Sequence, residues 1–503
     1  MTLVSFLGLR SNPFENYTAE TEPHIDEYAV RPPYLKDISA RADRLSSFIL
    51  FGDRGAGKSA TRLTVFKEIW ADTGDVRPFL VNMTDFTDLQ PLFKKDKLTD
   101  KEIVALVAFV VVEQMLVWLA SLPEEERDEK IENLNVAQRD LVYALIKGFY
   151  LTKPELDREI SNQDALNLLN SAWTTKSAIW TERRWGDISN IIAAALNVFS
   201  RKVSEDDGVN ISQAAENLLK SLVGDSPQAP RATLTKLVDF SKAFGFSGVC
   251  VLVDKVDETP TTSNSAESTA KLVHPLLTHY QLLEVSGFSW VLFLWSMVQA
   301  HFNGKYSIRL DKIAHANISW EERHLKEMLD KRVRYFSDGR KDFSDLFEPE
   351  VAEGGVAGAI IALVVGSPRE LVKLMDIIIR EHNARDIDGL IDAHSVNIGI
   401  DKYCVETIGT WYPEAVLQQV YRVGKLSFVN KDVQGVFKIS DQGARTKIKG
   451  WEDSGLIKLS GTVPSEAGGK PVNKYVVSDP RVVRIISNLL DANVGVALED
   501  SDG

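Results

Sequence analysis

The chain's most reactive-looking stretch is Gly52-Asp53-Arg54-Gly55-Ala56-Gly57-Lys58-Ser59. Its G-x-x-x-x-G-K-[ST] spacing arises by chance in roughly 2% of chains this long. The glycines let the backbone curl so that successive N–H groups face one centre. With a helix N-terminus behind them, those groups attract phosphate oxygens. Lys58 is placed to reach the β- and γ-phosphates, and the Ser59 hydroxyl to ligate Mg²⁺. The spacing therefore predicts ATP and Mg²⁺ as ligands, with all eight residues in contact with the nucleotide.

Such a loop needs a further magnesium-ordering acid at the end of a nearby strand. The run Val249-Cys250-Val251-Leu252-Val253 ends in Asp254, which is expected to hold the metal through water. Lys255 follows where a water-polarising glutamate often stands, so Asp257 and Glu258 are the local candidates for catalysis, and slow hydrolysis is expected. Ser296 closes another apolar run, Trp290–Trp295, and is placed to sense the γ-phosphate. In Gly366-Ser367-Pro368-Arg369, Ser367 suits a helix N-cap and Pro368 the first turn. Arg369 then faces the positive end of the helix dipole, a position a bound phosphate relieves. Arg309, in Ser307–Ile313, is placed to reach the ATP of a neighbouring subunit, with Arg332 and Arg334 as competitors for that role.

The elements that must position these residues follow from hydrophobic pattern. Ser47–Phe51, Phe79–Met83, Val249–Val253, Trp290–Trp295 and Ala314–Ile318 read as buried strands, alternating with helices. That alternation predicts an α/β, three-layer, mostly parallel P-loop core over residues 46–98 and 235–320. Residues 1–45 form a lead-in with a short helix near 34–46, expected to border the nucleotide. Residues 99–234 read as a large helical insertion, containing Trp173, Trp180 and Trp185 and expected to meet a protein partner. A helical lid is assigned to 321–400 and an acidic tail to 493–503, with Leu498–Gly503 expected to be disordered.

Residues 401–492 read as a winged helix. Helices are expected at 414–423, 431–437 and 441–453, followed by paired strands at 456–460 and 474–477. The third helix carries Gln442, Arg445, Lys447 and Lys449, and the strands and their loop add Lys470 and Lys474. In helix-turn-helix proteins this helix enters the major groove. Residues 401–490 hold 13 Lys+Arg against 9 acids, a net +4, whereas the whole chain carries −13. A polyanion partner is thus expected at the C-terminal end and not as a general coat. The two cysteines exclude a disulfide framework and fit a reducing cytoplasm. The longest apolar run, Ile103–Val112, is ten residues, too short to cross a bilayer, so no membrane role is expected.

The order of these pieces resembles the AAA+ ATPases, most closely the initiator (origin-recognition-like) branch and the related STAND switch ATPases. The resemblance rests on the P-loop strand, the hhhhD strand with its trailing Asp-Glu, the polar-ended strand, the Arg-Leu-Asp edge and the Pro-Arg-opened lid helix. It covers about residues 10–95 and 235–390. It implies that Asp254 is the Walker B acid, Ser296 sensor 1, Arg309 the arginine finger and Arg369 sensor 2. The string Asp254–Glu258 is similar to the STAND form. The lead-in motifs Asn12-Pro13-Phe14 and Arg31-Pro32-Pro33-Tyr34 are similar to those of prokaryotic relatives, where they border the adenine. The expectation is a slowly hydrolysing switch whose nucleotide state sets self-association and assembly on double-stranded DNA. The alternative is a nucleotide-gated switch that contacts only proteins through its winged helix.

Overall fold

A computed structural model describes residues 2–18, 22, 25–31, 33–71, 76–155, 157–158, 161–162, 165, 217–222, 224, 226–464 and 471–496. Trp173, Trp180, Trp185, Lys470 and the acidic tail from 497 onward lie outside these residues. The chain forms two compact units, Arg31–Ser319 and a second one combining Met1–Val30 with Trp320–Gly503.

The first unit is built on a five-stranded sheet: β1 (Phe48–Gly52), β2 (Phe79–Met83), β3 (Val249–Val253), β4 (Phe288–Trp295) and β5 (His315–Asn317). All neighbours pair in parallel, in the order β2-β3-β4-β1-β5. In this order β4 lies between β1, which leads into Gly52–Ser59, and β3, which ends just before Asp254. β1, β2 and β3 are buried along their whole length, which explains their nearly unbroken apolar runs: helices cover both faces. An aromatic cluster joins layers of this unit. Trp70 on the helix Lys58–Ala71 stacks on Phe66 and Phe246, and Phe246 packs against Phe79 and Trp118.

The helical insertion expected over 99–234 joins the core at its two ends. The helix Asp100–Ser121 is long and apolar enough to cross a membrane by length and composition, but its apolar window is 89% buried inside the protein. Being apolar all round is what a helix submerged in a core requires. It lies against β2, a sheet edge that would otherwise expose unpaired main-chain groups. Gln114 accepts from Asn82 N–H at 3.0 Å and donates to Asn82 C=O at 2.7 Å, so a side-chain amide substitutes for a sixth strand. The helix Ala229–Ala243 contributes Leu234, Leu237, Val238 and Phe240 to the same core.

The second unit contains helices Glu322–Phe336, Pro368–Ala384 and Ala393–Ile408, followed by the C-terminal module. Ala393–Ile408 runs through residue 400, so the boundary expected between 400 and 401 falls inside one helix. The lead-in is divided between the units. In the second, Asn12 donates to Asp376 at 2.8 Å, and Arg332 donates to the Pro13 carbonyl at 2.9 Å and pairs with Glu22. In the first, the helix Pro33–Asp43 packs beside the P-loop helix, where Glu68 receives Ser39 at 2.9 Å and Arg31 at 3.2 Å. The winged-helix sheet has β6 (Ser427–Val429), β7 (Ile457–Val463) and β8 (Val472–Val477), antiparallel in the order β6-β8-β7. Burial pushes the Cys250 and Cys404 thiols up to about 12, so neither is a thiolate nucleophile at neutral pH.

Gln114→Leu is expected to leave two buried main-chain groups of Asn82 unpaired, at roughly 1–3 kcal/mol each. Urea unfolding followed by tryptophan fluorescence checks this. An unchanged midpoint would contradict the role of Gln114 as an edge substitute.

Candidate nucleotide site

β1 ends at Gly52, and the chain then has to reverse over the sheet's carboxyl edge. Gly55 (φ 77°) and Gly57 (φ 90°) take the left-handed backbone that this curl requires. Ala56 N–H donates to Asp53 C=O at 3.1 Å, and the helix Lys58–Ala71 starts at once. Gly52 has a second constraint: a Cβ there would stand 2.7 Å from Ile318 Cδ1 and 3.3 Å from Lys58 Cγ. The Lys58 ammonium curls back over the loop, donating to the carbonyls of Gly52 at 3.0 Å and Asp53 at 3.2 Å. A left-handed glycine turn feeding the first turn of a fourteen-residue helix fits a polyphosphate.

The parallel register places the other polar residues near this loop. Gly52 lies opposite Trp295, and Val253 opposite Leu292. Ser296, the first residue beyond β4, donates its hydroxyl to the Asp53 carboxylate, and its N–H reaches Gly52 C=O at 3.2 Å. Asp254 follows β3 and is only 1% exposed. Its Oδ1 accepts from Lys255 N–H at 2.8 Å, and its Oδ2 accepts from Arg62 Nε at 3.1 Å. Arg62 also donates to Asn82 Oδ1 at 2.6 Å.

Asp257 is 2% exposed, and its Oδ2 lies 3.5 Å from Arg54 Nε. Arg54 donates to the Asn264 carbonyl at 3.2 Å and to its Oδ1 at 2.9 Å, and its guanidinium lies 4.3 Å from the Trp295 ring centroid. Glu258 is exposed. The loop that carries these acids is strained. Lys255, Ser263 and Asn264 are all left-handed without being glycine, a concentration typical of functional segments.

Arg309 is exposed and held by Asp311 at 2.6 Å, a hydrogen bond that raises its pKa above the ordinary value. Its two competitors are already committed. Arg332 is buried with Glu22, and Arg334 pairs with Asp342. Arg369 belongs to the second unit. It sits in the first turn of Pro368–Ala384, whose N-cap Ser367 accepts from Glu370 N–H at 3.4 Å. Arg369 is half-buried, and its guanidinium has no ion-pair or hydrogen-bond partner among the described residues.

In the C-terminal module, Ser440 caps the helix Asp441–Asp453 by accepting from Gly443 N–H at 3.2 Å. Asn430 is the first residue of the preceding helix and not its cap; Asp432 accepts from Val429 N–H at 2.8 Å instead. Ala444, Ile448 and Trp451 bury one face. Gln442, Arg445 and Lys449 are exposed on the same helix, with Arg445 resting against Asp441 at 2.8 Å. Lys447 is half-buried over the Phe437 ring, 4.9 Å from its centroid, and Lys474 is half-buried on β8.

Two partners of the site were missed in the sequence reading, Arg62 and Asn82. The signal was present: an arginine four residues after Lys58 on a helix whose other side chains enter the core, and an asparagine inside an apolar strand. A buried arginine needs a carboxylate. A magnesium ion takes hard oxygens alongside nucleotide phosphates, and the Ser59 hydroxyl and Asp254 carboxylate are side chains of that kind. Among the described residues no group of three His, Cys, Asp or Glu could hold a metal without such help.

No protein-family model matches the chain, and no curated protein matches it in sequence. Solved structures do. The Aeropyrum pernix ORC1 protein in complex with DNA is 12% identical, with 95% of this chain and 96% of that one covered and a TM-score of 0.37. The Aeropyrum pernix ORC2 protein in its ADPNP-ADP complexes is 11% identical, covering 95% and 98%, with a TM-score of 0.41. Its ADP form gives 11%, the same coverage and 0.40. The STAND likeness rests on the Asp254–Glu258 string alone.

Arg54→Met and Asp257→Asn each break the contact between the P-loop and the loop after β3. Each is expected to cost about 1–3 kcal/mol, less than a fully buried pair because Arg54 is partly exposed. The double variant should lose less than the sum, by about 1 kcal/mol or more in a denaturant-based mutant cycle. Strict additivity would show the two residues to be uncoupled.

Proposed function

We propose that the chain is an ATP-dependent switch of AAA+ type whose nucleotide state governs its hold on double-stranded DNA. The observation that carries this reading is the common location of three features. The curled loop Gly52–Ser59, Ser296 and Asp254 all stand at the carboxyl ends of β1, β4 and β3. In this reading Lys58 and the loop amides bind the phosphates, and Ser59 and Asp254 are the protein oxygens for Mg²⁺. Ser296 reads the terminal phosphate through its tie to Asp53. Glu258 is the exposed acid of the pair and is assigned to orienting water, while Asp257 holds Arg54. Arg309 is assigned to a neighbouring copy's nucleotide, which makes self-association depend on ATP. Turnover is slow because Lys255 occupies the position next to Asp254. The proposed setting is the cytoplasm.

The proposed duplex contact is the exposed row Gln442, Arg445 and Lys449 on one helix, flanked by Lys447 and Lys474. Lysines to phosphates supply affinity, and Gln442 and Arg445 have the donors that read base edges. The second reading is a protein-contact module. It is favoured by the apolar side chains Leu459 and Val472, exposed on the wing strands.

Titrating duplex DNA at several salt concentrations, with ATP and with ADP, separates the two. The first reading predicts nucleotide-sensitive binding that weakens with salt. Arg445→Ala/Lys449→Ala should lower affinity and reduce the log–log salt slope by about 1, the share of the phosphate-contacting Lys449. Absence of duplex binding, or a double variant that binds as the unmodified chain does, would leave the protein-contact reading.

A further inference from the structure

The least expected feature of the site is Arg62. It lies one helical turn beyond Lys58, on the same side of the P-loop helix, and is 2% exposed. Its guanidinium joins two strand ends: Nε to Asp254 beyond β3 at 3.1 Å, and Nη1 to Asn82 on β2 at 2.6 Å. Asn82 is itself fixed through its main chain by Gln114, so the fork has a firm anchor on the side away from Asp254. Asp254's other oxygen is occupied by Lys255 N–H. Each carboxylate oxygen therefore already accepts a hydrogen bond inside the protein, and the buried negative charge already has its counter-charge.

That arrangement changes what magnesium can contribute. A buried carboxylate draws a cation because it has lost its solvation and needs compensation. In an ordinary P-loop site the hydrated metal provides much of this. Mg²⁺ keeps most of its waters and takes a carboxylate's help through them. Here the ion's water shell has to share an acid already neutralised by a planar donor that is more weakly hydrated than an ammonium and cannot be deprotonated. We propose that Arg62 is a built-in counter-cation for Asp254, so that the chain holds nucleotide with little dependence on magnesium. Arg62 is thus a positioning residue that sets how strongly the metal is coupled to the nucleotide. This inference rests on the reading of Gly52–Ser59 as a nucleotide site.

The test is calorimetric titration of ADP and of ATP into the full chain, once with excess Mg²⁺ and once with EDTA. The quantity read is the ratio of the two Kd values. For the unmodified chain the ratio should lie below about tenfold. Arg62→Met, which removes the counter-charge and returns Asp254 to the metal, should raise the ratio severalfold. If that variant does not fold, Arg62→Lys, which keeps the charge but loses the two-way fork, should also raise it. A ratio well above tenfold in the unmodified chain overturns the proposal. So does a folded Arg62 variant that lowers thermal stability while leaving the ratio unchanged, because Arg62 would then be only a brace. No binding under either condition would instead remove the nucleotide reading, and the inference with it.

Discussion

Buried parallel strands leave the chain few places to put polar chemistry. β1, β2 and β3 are submerged along their length, and β4 up to its last residue, so polar side chains are concentrated where the chain leaves the sheet. Because every strand runs the same way, those exits lie at one edge. Gly52–Ser59, Ser296 and Asp254 are gathered there by topology before any specific contact is made. The insertion of β4 between β1 and β3 gives Ser296 its place beside Asp53.

Two arginines then bind the edge together. Arg54, from inside the P-loop, faces Asp257 and lies over Trp295, and Arg62, one turn into the following helix, holds Asp254 and Asn82. Each joins the Gly52–Ser59 arm to the end of β3. Any movement of the loop after β3 is therefore felt by the P-loop through charge pairs that are costly to break when buried. This is the kind of coupling a nucleotide-gated switch requires, and the left-handed residues Lys255, Ser263 and Asn264 lie in the segment that would have to move.

Most of the framework was legible because buried strands announce themselves as short apolar runs with a polar stop. β1 to β4, the cap at Ser440 and the wing strands follow from such local signals, whereas β5, expected to be buried, is exposed at His315 and Asn317. What the sequence hid was long-range. Helix Asp100–Ser121 read as part of an insertion because nothing local shows that Gln114 pairs with the main chain of Asn82. The lead-in read as one piece because the anchors of Asn12 and Pro13, Asp376 and Arg332, lie more than three hundred residues away. Arg332 looked like a free cation for the same reason, since its partner Glu22 is equally distant. Arg62 looked like one more helix residue until Asp254 was placed beside it.

The central claim is that the main-chain amides of Gly52–Ser59, with Lys58, grip a triphosphate. The most direct measurement is equilibrium ATP binding to the full chain and to a folded Lys58→Ala variant. The account predicts saturable one-site binding that weakens by about tenfold or more, the equivalent of 1.4 kcal/mol, when the ammonium is removed. Equal affinity in the two proteins, or no uptake by the unmodified chain, would contradict it.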